Sequence, residues 1–254
     1  MAMNERAIYK AKGFALKIFA ASAMGAIGAF GRFINAPGDF ISFGRQFCGF
    51  ICLAIAFFFM KGAWQKVKEF RMSPAIVMTG INLGLLSGLY VISTQYTTLA
   101  NAALFIYIGP VIATILAAIF LKEKINIQRA LCLFTVVFGM LLATATLAYS
   151  SEQGLYMGLD LSSTYAFGNL IAVGSGVAYG LFLFFCRYRL DADSTTRSWF
   201  QFGIASLTLL GLMAVDSFLS GGLKYTVKVD GIAQVDASGQ IMVEQWNIFT
   251  MDAT

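Results

Sequence analysis

Apolar residues run along this chain in seven long blocks separated by short polar links. The blocks cover roughly residues 13–34, 40–60, 74–95, 98–121, 127–149, 167–187 and 198–219. Each is long enough to cross a bilayer core of about 30 Å, which takes about 20 residues of α-helix. The pattern is sharpest over residues 72–121, which hold no Asp, Glu, Lys or Arg. Residues 130–149 and 167–186 are uncharged as well. The pattern predicts an all-α polytopic membrane protein with about seven transmembrane helices. The first block starts beside Lys17, whose apolar stem can carry its amine to the interface. Its length and the spans that follow at once argue against a cleaved leader.

After residue 220 the period changes. Leu223, Tyr225, Val227 and Val229 alternate with Lys224, Thr226, Lys228 and Asp230, and turn residues follow at Gly231 and at Asp236 to Gly239. Period-two alternation bounded by turn residues predicts a small β-hairpin outside the membrane. Gln245 to Phe249 reads as the start of an interfacial helix, with Trp246 at headgroup level.

Charge adds orientation. Only 12% of the residues are charged, where a soluble domain carries about 25%. If every block crosses, 14 of the 18 basic residues fall on one side. They lie at the N-terminus and Lys17, at Lys61 to Arg71, at Lys122 to Arg129 and at Arg187 to Arg197. Only Arg32, Arg45, Lys224 and Lys228 fall on the other. Cytoplasmic links carry the excess of Lys and Arg, so the N-terminus is expected in the cytoplasm of a multi-pass protein of the cell membrane. The net charge of +5 is an orientation signal, and no nucleic-acid partner is expected.

The counts also exclude chemistry. There is no histidine, which removes Ser-His-Asp catalysis and His-ligated metals. Cys48, Cys52, Cys132 and Cys186 lie in apolar stretches, where a thiol behaves as a small packing residue. No metal, cofactor or catalytic residue is expected, and no carboxylate pair is apparent within the spans. No GxxxxGK[ST] sequence is present for direct ATP drive.

Several ordered motifs resemble the drug/metabolite transporter superfamily, in particular its EamA-like members. Gln95 to Leu104 leads to Ile108-Gly109-Pro110, then to Leu121-Lys122-Glu123-Lys124-Ile125 and Gly139. This looks like the family's fourth helix, with its mid-membrane proline and the acidic residue after it. Phe43-Gly44-Arg45-Gln46-Phe47 is similar to the arginine-bearing start of its second helix. Gly168-Asn169-Leu170, followed by Ser175 to Tyr179, is similar to the start of its second repeat. The resemblance implies ten helices in two inverted five-helix repeats. Residues 1–149 would then be the first repeat, 150–219 the start of the second with two helices, and 220–254 an extramembrane tail. On that pattern the last three helices are absent from these residues. It further implies a secondary transporter, or part of one, moving a small organic metabolite or drug-like solute by alternating access, and not an enzyme.

The residues that could line a solute path are few. Arg45 stands about five residues, roughly 7.5 Å, inside its block. A buried cation faces a cavity or a partner, and a guanidinium can hold a carboxylate or phosphate; a side chain snorkelling to the interface is the alternative. Gln46, Tyr90, Tyr107 and Tyr179 would add amide, ring and hydroxyl surface, with core or interface packing as the alternative. Asn82 and Asn101, like Asn169 and Gln201, either line the path or pair helices. Gly80, Gly84 and Gly88, and Gly176 with Gly180, are spaced for close helix packing. Pro110 should kink its helix. The other reading is a non-transporting truncated module, a partner or sensor protein. A lipid enzyme lacks clustered polar catalysts, and the last block has no Lys for a retinal Schiff base. The expected partners are the lipid bilayer and a small organic solute, and the chain is compatible with a homo-oligomer.

Overall fold

The computed structural model describes residues 11–20, 22, 34, 36–123, 126–143, 147–150, 154–157, 161–188, 193–226, 228–229, 232–233 and 243–246. Residues 38–219 form one compact unit, and residues 1–37 with 220–254 form another. Residues 11–20 are helical, and most of the first apolar block lies outside the described residues. The larger unit begins with α1 (Gly38–Phe59), a short α2 (Ala63–Glu69) and α3 (Pro74–Tyr96). It continues with α4 (Leu99–Ile106), α5 (Ile108–Phe120) and α6 (Ile127–Ala143). A hairpin of β1 (Leu147–Ser150) and β2 (Gly154–Met157) leads to α7 (Ala166–Tyr188) and α8 (Ser194–Ser220). Five spans among the described residues are long and apolar enough to cross a membrane: α1, α3, α4 with α5, α7 and α8. The protein is a nearly all-helical, multi-pass membrane protein.

The distribution of side chains is the reverse of a soluble domain's. Thr79, Ser93, Asn101 and Ser175 are at most 1% exposed, while Phe58, Phe120, Phe134, Leu207 and Phe218 are more than 60% exposed. Lipid tails are as apolar as leucine, so burying leucine between helices gains little. Packing by small residues and interhelical hydrogen bonds holds such a bundle instead. Accordingly α7 lies against α3, α4 and α5, and α3 also lies against α1. The glycine face of α3 meets α8: a Cβ at Gly80 would come within 2.5 Å of Ile204, and one at Gly84 within 2.7 Å of Thr208. Gly88 meets Leu212 in the same way. Gly176 abuts the Phe105 carbonyl, and Gly180 abuts Ile112 and the Gly109 carbonyl.

Four details differ from the hydropathy reading. The block at 98–121 is two helices that part at Tyr107. Pro110 has no N–H to donate to Ile106, so the ladder is interrupted where the chain divides. The block at 127–149 is a helix only to Ala143, and Leu147–Ser150 is a strand paired with Gly154–Met157. Two short apolar stretches around a polar one make a hairpin pattern, and hydropathy alone does not separate such a stretch from helix. The link after α1 holds the short α2, which the pattern did not predict. In the tail, β3 (Leu223–Thr226), β4 (Lys228–Val229), β5 (Ile232–Ala233) and β6 (Val243–Trp246) replace helix with ladder. β4 pairs β5 in the expected hairpin, but β6 pairs β3 with Trp246 opposite Leu223. Trp246 thus ends a strand and does not open an interfacial helix. The ladder gives β3 partners for backbone groups that a lone strand would leave open.

Candidate functional site

The polar residues buried in the bundle are positioned first by α1. Gly38 opens that helix and packs on Val91 of α3. The side chains that α1 buries are Asp39, Ser42, Gln46 and Phe57. The first three recur at i, i+3 and i+7, which places them on one helix face. The first half of α1 therefore turns a polar stripe into the bundle, where an amphipathic helix of a soluble protein would turn leucine. Arg45 lies beside this stripe, about 10 Å from the first residue of α1 at 1.5 Å per residue. Its Nη2 donates to Ser87 Oγ on α3 at 2.7 Å. Among the described residues no carboxylate pairs with it. Arg45 is thus tied across to a neighbouring helix by a neutral acceptor, with guanidinium donors to spare.

Ser87 is one turn before Tyr90 on α3. Tyr107, at the break between α4 and α5, lies close enough to interact electrostatically with both Tyr90 and Tyr179. The Tyr179 ring occupies the space that a Cβ at Gly109 would fill, 2.6 Å away. Three of the candidate tyrosines therefore gather where the helix is interrupted, with Tyr107 40% exposed. Ser87, which holds Arg45 from α1, stands one turn before Tyr90 along α3.

The other candidates have different partners. Asn82 is 6% exposed and donates to the Met78 carbonyl of its own helix at 2.8 Å. Asn101 is fully buried and belongs to a clasp between helices. Thr98 caps α4 by accepting from the Asn101 backbone N–H at 3.2 Å, which sets the side chain's direction. The Asn101 Nδ2 then donates to Asn169 Oδ1 on α7 at 3.0 Å. The Thr97 hydroxyl donates to the same oxygen at 2.6 Å. Gln201 makes a similar tie, donating from α8 to Thr79 Oγ1 at 3.0 Å. The structure thus gathers Tyr90, Tyr107 and Tyr179 and ties Arg45 to Ser87, one turn of α3 from Tyr90, with Gln46 on the buried stripe of α1. It assigns Asn82 and Asn101 to contacts within and between helices.

Sequence reasoning missed Ser87, Ser42 and Asp39. The i, i+3, i+7 spacing of Asp39, Ser42 and Gln46 was a visible signal, hidden because the apolar block was counted from Phe40. The helix starts two residues earlier, and with Asp216 inside α8 it contradicts the expectation of no carboxylate pair within the spans. The four cysteines are free, and no group of three or more metal-ligating residues occurs among the described residues.

At the opposite end, Glu123 follows α5 through a tight turn. Lys122 takes φ 53°, and the Glu123 N–H donates to the Ala117 carbonyl at 3.4 Å, closing the helix end. The turn delivers the Glu123 carboxylate to Arg187 in the last turn of α7, 2.6 Å away. Lys66 and Asp193 face one another at 4.0 Å nearby in the chain's polar links.

The profile of the EamA-like transporter family matches residues 11–145 of the chain. No curated protein and no solved structure matches it.

Proposed function

The chain belongs to the EamA-like transporter family, and we propose that it carries a small organic solute with an acidic group across the cytoplasmic membrane by alternating access. Membership supports a transporter embedded in lipid rather than an enzyme. The observation that carries the finer reading is the Arg45 guanidinium, held inside a span by Ser87, its one hydrogen-bond partner among the described residues, one turn of α3 from Tyr90. An unpaired cation in hydrocarbon is costly and marks a ligand path. A carboxylate or phosphate that accepts from its remaining donors would offset that cost, and charge-assisted bonds of this kind are the strong ones. The phenol rings and hydroxyls would hold the organic part. On this reading residues 1–149 form the first repeat and residues 150–219 open the second, with the basic links and the N-terminus in the cytoplasm.

The test is uptake into proteoliposomes of a labelled panel of acidic, neutral and basic metabolites under imposed gradients. Gradient-dependent flux of acidic solutes is expected, with loss of about tenfold or more in Arg45→Gln and partial rescue in Arg45→Lys, which keeps the charge but not the fork. Flux equal to that of empty liposomes, or an acidic flux untouched by Arg45→Gln, would sink the proposal.

A further inference from the structure

One buried group takes no part in the solute site described above. Asp39 is 3% exposed, and its Oδ1 has no hydrogen-bond donor among the described residues. It shares the buried face of α1 with Ser42 and Gln46. From α8, Asp216 lies within electrostatic reach of it. Ser217 on α8 is also buried, with an Oγ that has no partner among the described residues. The other chargeable groups on the elements packed here are few. Arg45 is on α1 itself and is turned to Ser87. On α3 the groups that titrate are the phenols of Tyr90 and Tyr96, and on α8 the remaining one is Arg197, at the other end of the helix. Arg32 lies outside the described residues.

Two physical terms bear on such a carboxylate. A charged oxygen stripped of water and given no donor is held at a large cost. A second carboxylate nearby adds repulsion, so that the two do not both ionise easily. The position of Asp39 in the first turn of α1 favours negative charge through the helix dipole, but that effect is the smaller one at a desolvated site. A proton relieves both unfavourable terms, and no other ligand of this size needs only one acceptor.

We propose that Asp39, facing Asp216, is a reversible proton-binding site at the end of the bundle away from the basic links. Uptake of one proton from water converts the Asp39 carboxylate to the neutral acid, and its release restores the anion; no other bond forms or breaks. In a gradient-driven transporter such a site couples solute movement to protons. The assignment to a proton does not depend on which solute is carried, and its test reads protonation rather than flux.

The experiment is infrared pH-difference spectroscopy on the full chain in liposomes, comparing wild type, Asp39→Asn, Asp216→Asn and, as a control, the exposed Asp193→Asn. Wild type is expected to show a protonated-carboxyl band that titrates with pH. Asp39→Asn should lose that band, and Asp193→Asn should keep it unchanged. Asp216→Asn should retain the band with its midpoint lowered by roughly one pH unit, because the like charge is gone. A band that survives Asp39→Asn overturns the proposal. If Asp39→Asn does not fold, a midpoint unmoved by Asp216→Asn overturns it alone. Proton binding at Asp39 with no acidic-solute flux would fault the solute reading and leave the proton site standing.

Discussion

The two ends of the helical bundle solve the same electrostatic problem in opposite ways. At the end that carries the basic links, charge is paired and ring surface is packed. Glu123 meets Arg187, and Trp64 and Trp199 pack edge-on at 6.1 Å with Phe57 beside both. At the other end Asp39 and Ser217 each keep a buried oxygen without a hydrogen-bond partner among the described residues, and Arg45 is answered by a serine. Both ends are built from the same helices, α1, α7 and α8 among them. The difference teaches where interactions serve the bundle and where they are left over for something that binds. A buried polar atom without a partner is destabilising, and among the described residues both ends keep some: the indole nitrogens of Trp64 and Trp199 and the Ser73 hydroxyl at the basic end, Asp39 and Ser217 at the other. What sets the Asp39 end apart is that its unpartnered atom belongs to a carboxyl group and that its arginine has no carboxylate, whereas the charges at the basic end are paired.

The contrast holds only if the helices between the ends are packed rigidly, and the largest predicted effect breaks that packing. Gly176→Leu should drive a side chain into the Phe105 carbonyl on α4, and Gly84→Leu into Thr208 and the Ala205 carbonyl on α8. Backbone cannot yield as a side-chain tip can, so each should cost about 3 kcal/mol or more. Gly139→Leu has open space around it and should cost almost nothing. Yield and thermal unfolding of the three variants in detergent check this. Equal behaviour of Gly176→Leu and Gly139→Leu would mean that the close helix contacts are not what sets the bundle.

A smaller effect separates structural amides from ligand-binding ones. Asn169→Leu removes the acceptor that Thr97 and Asn101 share across a buried helix contact. Interhelical hydrogen bonds in membranes are worth about 1–2 kcal/mol at most. A stability loss of that size is expected in unfolding by denaturing detergent, while solute affinity in the folded fraction stays unchanged. A change in affinity with no loss of stability would move Asn101 and Asn169 back into the solute path.

That distinction was beyond the sequence, and the reason is physical. Charge-free apolar runs such as 72–121 make the spans readable, because only a helix satisfies its own backbone within lipid. The order of motifs around Gln95 to Gly139 made the family readable too. Partners are another matter. Asn101 and Arg45 look alike in a sequence, each a polar residue in an apolar run. Only the arrangement of helices shows that one ends on Asn169 and the other on a serine next to the tyrosines. The convergence of Tyr90, Tyr107 and Tyr179 depends on a break at Tyr107, whose place Pro110 hints at but whose neighbours it does not name. The hairpin at 147–157 was hidden for a simpler reason: Leu147, Ala148 and Tyr149 extend the hydropathy of the preceding helix without a charge to mark the boundary.

The smallest effect on stability carries the most information about the paired end. Glu123 and Arg187 have side chains that are 29% and 49% exposed, so their attraction is screened by water and breaking it should cost less than about 1 kcal/mol. If the pair is only a surface contact, nothing else follows from Glu123→Gln. If it closes this end, the same variant shifts the population of arrangements in which α5 and α7 separate there. One kilocalorie is enough to change a two-state ratio about fivefold. The measurement is the distance between spin labels placed at Lys122 and Tyr188, in wild type, Glu123→Gln, Arg187→Gln and the charge-swapped Glu123→Arg/Arg187→Glu double variant. A longer-distance population should grow in each single variant and recede in the swap, with thermal stability nearly constant throughout. Identical distance distributions in all four would make the pair a solvated contact and would remove the gating half of the contrast, leaving the unpaired groups around Asp39 and Arg45 as the functional end on their own.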